Sequence, residues 1–526
     1  LNQMTNVCAG LLVCFLSKGT VLVAVTIGGA FLSSCGPKAE TQGPVKVLLP
    51  WQDISGEYSL QEIEIETLSD VYQAKGAAAE IYVTAKLSSN GPSSDKTRLN
   101  LSQTSEGLYI PADAISSQAL AVYAHIERIA KLEEKIFGQK VVSYPRKVYV
   151  ETAPAPGYRT NAAYFPELDI MMFLPFDLDG NLSLSFNGAV VAHEHAHAIF
   201  DKMVFGSVSE ADSDDLHVRA SSFNQLLAGV KWSKLLDFRF ENFLKENFSN
   251  ASEQSDDVAF AGFHEEIGED IKDTNKSEQT DTEADERNAD ERNADERNAD
   301  ERNEDGTKAD ADDRKKGKSS GSEEKDITQY EARKFNSFFL AAVSEGQSDF
   351  FAWIYSQDTR FIERSLGDVL ESKARDLGKP LDEYRPSSRN LFNIWLRAMK
   401  NGRSGGVGKM KYGLGTQLAR YMISISGPFK PAERVTPFSV NTFSEDQERL
   451  TSALLYYKGL NLALKDPAVQ AMRKGELISM NTVSKAIVTS EPGAQVKASI
   501  DRCRSTRAFL RSDDPDYFEP KCEDQP

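Results

Sequence analysis

Apolar residues recur along this chain with three different rhythms, and each predicts a different element. Residues 45–112 alternate apolar and polar in short runs such as Ile63-Glu64-Ile65, Glu80-Ile81-Tyr82-Val83 and Leu99-Asn100-Leu101, which predicts antiparallel strands. A period near 3.6 takes over at Asp113–Gly138, which reads as a long amphipathic helix, and the strand Lys147–Glu151 follows it. The helical period returns at Gly188–Lys202 (GAVVAHEHAHAIFDK), where Asn187 is the expected N-cap. Ala189, Ala192, Ala196, Ile199 and Phe200 give that helix a largely buried character. Leu216–Phe248 is apolar-periodic and predicts one or two further helices, with His217 as a structural residue. Residues 329–425 and 445–475 read mainly helical, including an apolar helix at Leu418–Ile425. The third rhythm is an apolar run, Val21–Leu32, interrupted by Gly28 and Gly29.

The Gly188–Lys202 helix carries the chemistry. His193-Glu194-His195-Ala196-His197 contains HExxH, and on a helix His193 and His197 share one face and can reach a single ion. Glu194 lies beside them, placed to take a proton from water at that ion. Buried histidines and a buried acid must be satisfied, and a metal would do so; the alternative is a polar helix edge meeting water or backbone. His195 points to another side and reads as a packed or hydrogen-bonded bystander. A hydrolytic zinc needs a third protein ligand and an open position. Glu345, in the apolar stretch Phe338–Ala352, is the candidate, with Asp349 one turn later to accept the free ring N–H of His193. The alternative for Glu345 is a solvent-facing residue near Gly346.

These motifs resemble the thermolysin-like, glutamate-third-ligand zinc peptidases (gluzincins), whose HExxH and ExxxD signature is matched by His193, Glu194, His197, Glu345 and Asp349. Asn161-Ala162-Ala163-Tyr164 is similar to the edge strand with which that family binds substrate backbone. Arg364 falls in a segment similar to the one that supplies the family's carbonyl-binding arginine. The resemblance covers roughly residues 113–205 and 330–425. It implies an α+β fold, a thermolysin-like zincin with an N-terminal lobe of mixed sheet and helix and a mainly helical C-terminal lobe. It implies one zinc ion held by His193, His197 and Glu345, with Glu194 as general base and Asn161 and Ala162 binding a protein or peptide substrate.

Two departures qualify it. No histidine follows Glu345, because the six lie at 125, 193, 195, 197, 217 and 264. Tyr412, with Lys411 behind it in the stretch Lys409–Gly415, is nominated to stabilise the oxyanion instead; a packed or surface tyrosine is the alternative. The family's calcium-binding aspartate is here Ala189, so calcium is not expected. The chain is also expected to leave no room for the long propeptide of secreted relatives.

Composition sets the compartment and the boundaries. Residues 1–35 read as an export signal ending in Leu32-Ser33-Ser34-Cys35, a bacterial lipobox whose Cys35 would be lipidated; a spanning anchor is the alternative. Residues 36–44 form a tether, which places the protein at the bacterial cell envelope, lipid-anchored and facing the periplasm or exterior. Cys503 and Cys522 would pair in an oxidising compartment, or stay as two free thiols. The expected layout is then 45–205 for the β-rich lobe with the zinc helix, 206–250 for a helical segment, 251–327 for an acidic insert, 328–500 for the helical lobe and 501–526 for the tail.

Ala284–Asn303 is four tandem copies of Ala-Asp-Glu-Arg-Asn. Residues 251–326 hold 27 acidic and 12 basic residues, a net of −15 in a chain of net −18, so the rest is nearly neutral. Such a stretch cannot bury enough apolar surface to order itself and reads as a loop, either an expandable repeat or a cation-attracting tether. The charge gives no reason to expect nucleic-acid binding. Taken together, the sequence predicts a membrane-tethered zinc metalloendopeptidase. The rival readings are an inactive peptidase-fold scaffold or binding lipoprotein, and a zinc hydrolase of non-peptide amides.

Overall fold

The computed structural model describes residues 44–52, 57–84, 87–88, 91–92, 98–152, 159, 161–166, 168–176, 182–206, 327–367, 375–381, 386–401, 404–427, 445–497 and 499–520. The signal and Cys35, the Leu216–Phe248 helices, the acidic repeats and Cys522 lie outside the described residues. The protein is mixed α+β, with its sheets toward the N-terminus and a mainly helical C-terminal part.

The alternating N-terminal segment forms strands. β1 (Val45–Gln52) and β2 (Tyr58–Ile65) pair antiparallel from Val45↔Ile65 to Gln52↔Tyr58. Their alternate residues Val45, Val47, Leu49, Ile63 and Ile65 are buried, as a period of two requires. β3 (Leu68–Asp70), β4 (Lys75–Gly76), β5 (Ala79–Val83), β6 (Leu87–Ser88), β7 (Gly91–Pro92), β8 (Leu101–Gln103) and β9 (Tyr109–Pro111) follow.

Within residues 45–112 the pairings β1–β2, β3–β4, β4–β5, β6–β7 and β8–β9 are antiparallel as expected, β1–β9 is parallel, and the strands separate into different sheets. One sheet runs β2-β1-β9-β8, with β1 and β9 parallel. A six-stranded sheet runs β11-β12-β10-β5-β4-β3, where β10 is Arg146–Val150, β11 Ala162–Phe165 and β12 Ile170–Phe173. β10 lies parallel to both β5 and β12. Parallel neighbours need a long crossover, and the chain between β5 and β10 supplies it with α1 (Ala114–Phe137). Asp113 caps α1 through the Ser116 N–H at 2.7 Å, and Gly138 ends it at φ 78°.

α2 (Gly188–Phe200) is the expected histidine helix. Asn187 caps it, accepting from the N–H groups of Ala189 and Val190. The Asn187 amide also donates to Phe361 O at 2.6 Å and Ser365 Oγ at 3.0 Å, which ties the start of α2 to α4 (Phe361–Leu366). A π-helical turn, Asp201–Phe205, continues α2.

α3 (Gln329–Ser356) opens on a capping box between Thr328 and Glu331 and runs beside α2, where the Gln347 amide donates to Ala196 O at 2.8 Å. α5 (Ser388–Lys400) sets Phe392 and Trp395 against Phe335 of α3. α6 (Ser404–Ser426) begins well before Leu418, where the apolar helix was expected. Glycines 405, 406, 408, 413 and 415 disguise it, since each weakens a helix by about 1 kcal/mol relative to alanine. Two of the glycines at the α3–α6 crossing are required by it. A Cβ on Gly346 would stand 2.4 Å from Gly415 O, and one on Gly415 would stand 2.8 Å from Glu345 Cβ.

α7 (Glu445–Ala463), α8 (Lys465–Lys474), α9 (Met480–Thr489), the short α10 (Glu491–Ala494) and α11 (Ile500–Phe509) complete the described helices. The expected tail thus opens as a helix, and the segment after it braces others. Asp514 accepts from the N–H and hydroxyl of Ser388 at the start of α5, and Asp516 accepts from the Ser479 hydroxyl before α9. Cys503 is disulfide-bonded, its Sγ 3.7 Å from Pro520 O; its partner lies outside the described residues.

Candidate metal centre

His193 and His197 stand one turn apart on α2 and turn their Nε2 atoms toward Glu345 on α3. The two Nε2 atoms are 3.1 Å apart, and Glu345 Oε2 lies 3.5 Å from His193 Nε2 and 3.8 Å from His197 Nε2. Ligand atoms bonded tetrahedrally to zinc at 2.0–2.2 Å would be separated by about 3.3–3.6 Å. The three atoms are therefore within tenths of an ångström of one face of such a tetrahedron. His193, His197 and Glu345 form the one group of this kind among the described residues.

Each of the three has its far atom held. His193 Nδ1 stands 2.9 Å from Asp349 Oδ1, and His197 Nδ1 stands 2.8 Å from Ser344 Oγ. Glu345 Oε1 is ion-paired with Lys411 Nζ at 2.8 Å. Partners of this kind fix which ring nitrogen faces the centre and aim its lone pair. Two imidazole nitrogens and a carboxylate oxygen converging in a buried place, each steered from behind, suit a cation better than they suit one another.

Sequence spacing accounts for part of this. The i, i+4 interval puts His193 and His197 on one face of α2, and the same interval puts Glu345 and Asp349 on one face of α3. Packing supplies the rest. The glycine crossing lets α6 approach α3 closely enough for Lys411, one turn before Gly415, to reach Glu345.

The charges are strongly coupled. Burial opposes a charge on His193, but Asp349 and Glu345 outweigh it and carry its pKa up to about 9. Burial drives His197 down to about 3. A protonated His193 can thus donate to a neutral His197, so a proton occupies ground that a metal would claim. Burial would raise Glu345, yet Lys411 and the two imidazoles hold it well below the usual carboxylate range. Burial likewise opposes ionised Asp349, and Arg375 and His193 overcome it. Burial outweighs the nearby charges of His193 and Arg375 and pushes Glu194 up to about 7. It is 6 % exposed, so a solvent-facing role is excluded; Glu345, at 7 %, is not the solvent-facing residue of the alternative either.

The other residues marked by the sequence fall as follows. Ala162 opens β11, the end strand of its sheet, and Asn161 O accepts from Leu174 N–H at 2.8 Å. The backbone of Tyr164 in that strand is near enough to Glu194 to favour its charge against burial. Tyr412 lies beside the acid pair, its ring 4.5 Å from Lys411 Nζ and 5.1 Å from the Arg375 guanidinium carbon. Arg364 is held by Asp358 at 3.1 Å and Glu57 at 3.6 Å. The arginine on the acid pair is Arg375, paired with Asp349 and 3.8 Å from Glu345 Oε2.

Sequence reading missed Arg375, Ser344 and the direct grip of Lys411 on Glu345. Ser344 adjoins Glu345 in the motif and could have been weighed as a hydroxyl facing α2; Arg375 carries no local signal. His195 is packed and hydrogen-bonded outside the group, as expected. Its Nε2 lies 3.0 Å from Glu133 Oε2, and both residues are fully buried. Glu133 also accepts from the Val142 N–H and the Tyr144 hydroxyl, which fastens α2 to α1 from the side opposite the centre.

Among the described residues no helix is long and apolar enough to cross a membrane. Compared with models of known protein families, with curated proteins and with solved structures, the chain matches none.

Proposed function

We propose that this protein is a zinc-dependent hydrolase of peptide bonds, built on a thermolysin-like plan and tethered at the bacterial envelope through Cys35. One observation carries the reading: HExxH histidines and a distant glutamate meet at tetrahedral spacing, each with its far atom held. His193, His197 and Glu345 would hold the ion. Zinc bound there would act as a Lewis acid and make water a nucleophile near neutral pH.

The chain's own groups do the rest. Glu194 would accept a proton from the attacking water and return it to the leaving amine. β11, as an end strand, offers Asn161 and Ala162 to an extended substrate by strand addition. Tyr412, whose ring lies against two cations, would donate its hydroxyl to the carbonyl oxygen as it gains charge. Arg364, held by Asp358 and Glu57, would bind the same carbonyl through its remaining N–H donors.

The test compares wild type with Glu194→Gln. Wild type is expected to hold about one zinc per chain and to cleave casein in a chelator-sensitive way. Glu194→Gln is expected to keep the zinc and lose cleavage by about a thousandfold or more. Cleavage retained in the variant overturns the mechanism; zinc without any chelator-sensitive turnover in wild type leaves a scaffold.

A further inference from the structure

We propose that Lys411 is a positioning residue that confines Glu345 to ligation through one oxygen and so preserves an open position at the metal. The proposal rests on the zinc reading above. A carboxylate can hold a cation through one oxygen or both. Here the two oxygens of Glu345 have different fates: Oε2 faces the imidazole nitrogens at 3.5 and 3.8 Å, and Oε1 is bonded to the Lys411 ammonium at 2.8 Å. That ammonium occupies the Oε1 lone pair and repels any cation approaching from its side.

Its position is fixed from three directions. The Tyr412 ring lies 4.5 Å from Nζ, and Arg375 sits on the same ring, which limits how far Lys411 can swing. The lysine side chain is only 28 % exposed. Its backbone is set by the α3–α6 crossing, where Gly415 leaves no room for a Cβ. Lys411 has a charge role as well. Glu194, Glu345 and Asp349 supply three acids to the centre, and Lys411 and Arg375 return two positive charges. A divalent ion therefore enters a site that has already been largely neutralised, and its affinity is held down.

The two roles predict opposite signs from those of a simple structural prop. In the full chain, Lys411→Met frees Oε1 and removes a like charge from beside the ion. The dissociation constant for zinc is expected to fall about tenfold. In the cobalt(II)-loaded protein, visible absorption should drop by roughly half or more as coordination rises from four toward five. Lys411→Arg, which keeps a cationic donor for Oε1, should retain the wild-type spectrum. Lys411→Gln separates the parts: its amide still donates to Oε1 without the charge, so the spectrum stays four-coordinate while affinity tightens.

Far-UV circular dichroism and the melting temperature establish that each variant is folded, and Lys411→Ala, which also frees Oε1 and removes the charge, takes the place of Lys411→Met if that variant does not fold. Unchanged spectra and affinity across the series overturn the proposal. So does weaker metal binding with a lowered melting temperature, which would make Lys411 a brace for α6. A wild-type chain that takes up neither zinc nor cobalt defeats the zinc reading itself, a distinguishable result.

Discussion

Gly415→Ala tests the close helix crossing that brings Lys411 to the centre. A Cβ at this position would stand 2.8 Å from Glu345 Cβ, 2.9 Å from Ala342 O and 2.9 Å from Gly346 N. All three obstacles are backbone or the first side-chain atom of α3, so no flexible side chain can move aside. Restoring ordinary contact requires α6 to withdraw from α3 by about 0.5–0.9 Å, and overpacking of this kind costs about 1–3 kcal/mol. The alanine returns about 1 kcal/mol of helix propensity. The net expectation is a loss of up to about 2 kcal/mol, and the melting temperature should fall by up to about 8 °C. Zinc affinity should weaken as well, because the displaced atom next to the new methyl is Glu345 Cβ itself. Gly408 is the internal control: it lies on the same helix, and a Cβ there meets nothing within 4 Å. Gly408→Ala should therefore stabilise by about 0.5–1 kcal/mol. Differential scanning calorimetry of both variants, with zinc titration of each, reads the outcome. A Gly415→Ala protein that melts at or above wild type, in step with Gly408→Ala, would refute the reasoning.

Two further expectations follow from the buried charges. His125 is 3 % exposed, stacked on Trp51 at 3.9 Å, and burial together with nearby Arg128 drives its pKa down to about 3 from 6.5. The unfolded chain takes up that proton near 6.5 and the folded one does not, so its contribution is whole above pH 7 and declines on acidification. By pH 5 it should have cost about 2 kcal/mol, and His125→Gln should flatten denaturant-measured stability between pH 7 and 5; equal slopes would count against the assignment. Removal of the metal should lower the melting temperature of wild type but not of Glu345→Ala, since zinc at about 100 times its dissociation constant adds about 2.7 kcal/mol to the folded state. Identical melts of wild type with and without chelator would contradict a bound metal.

The legible parts of this protein are those whose cause is local. Asn187 and the alanine period of Gly188–Phe200 announce α2, and Asp113 and Gly138 mark both ends of α1, because caps and periodicity act within a few residues. The i, i+4 pairs His193/His197 and Glu345/Asp349 likewise declare their shared faces before any packing is known. The opening of α6 was hidden because its glycines lower local helix propensity while their purpose, a close approach to Gly346, lies about 70 residues away in the chain.

What the sequence determined by itself was therefore the set of ligands and the helices that display them. The tertiary structure alone decided what stands behind those residues: Arg375 on the acid pair, Lys411 on Glu345 Oε1, Ser344 on His197 and Glu133 on His195. Each of these joins residues from different elements, and an ion pair or hydrogen bond depends on a distance that only the packing of those elements sets.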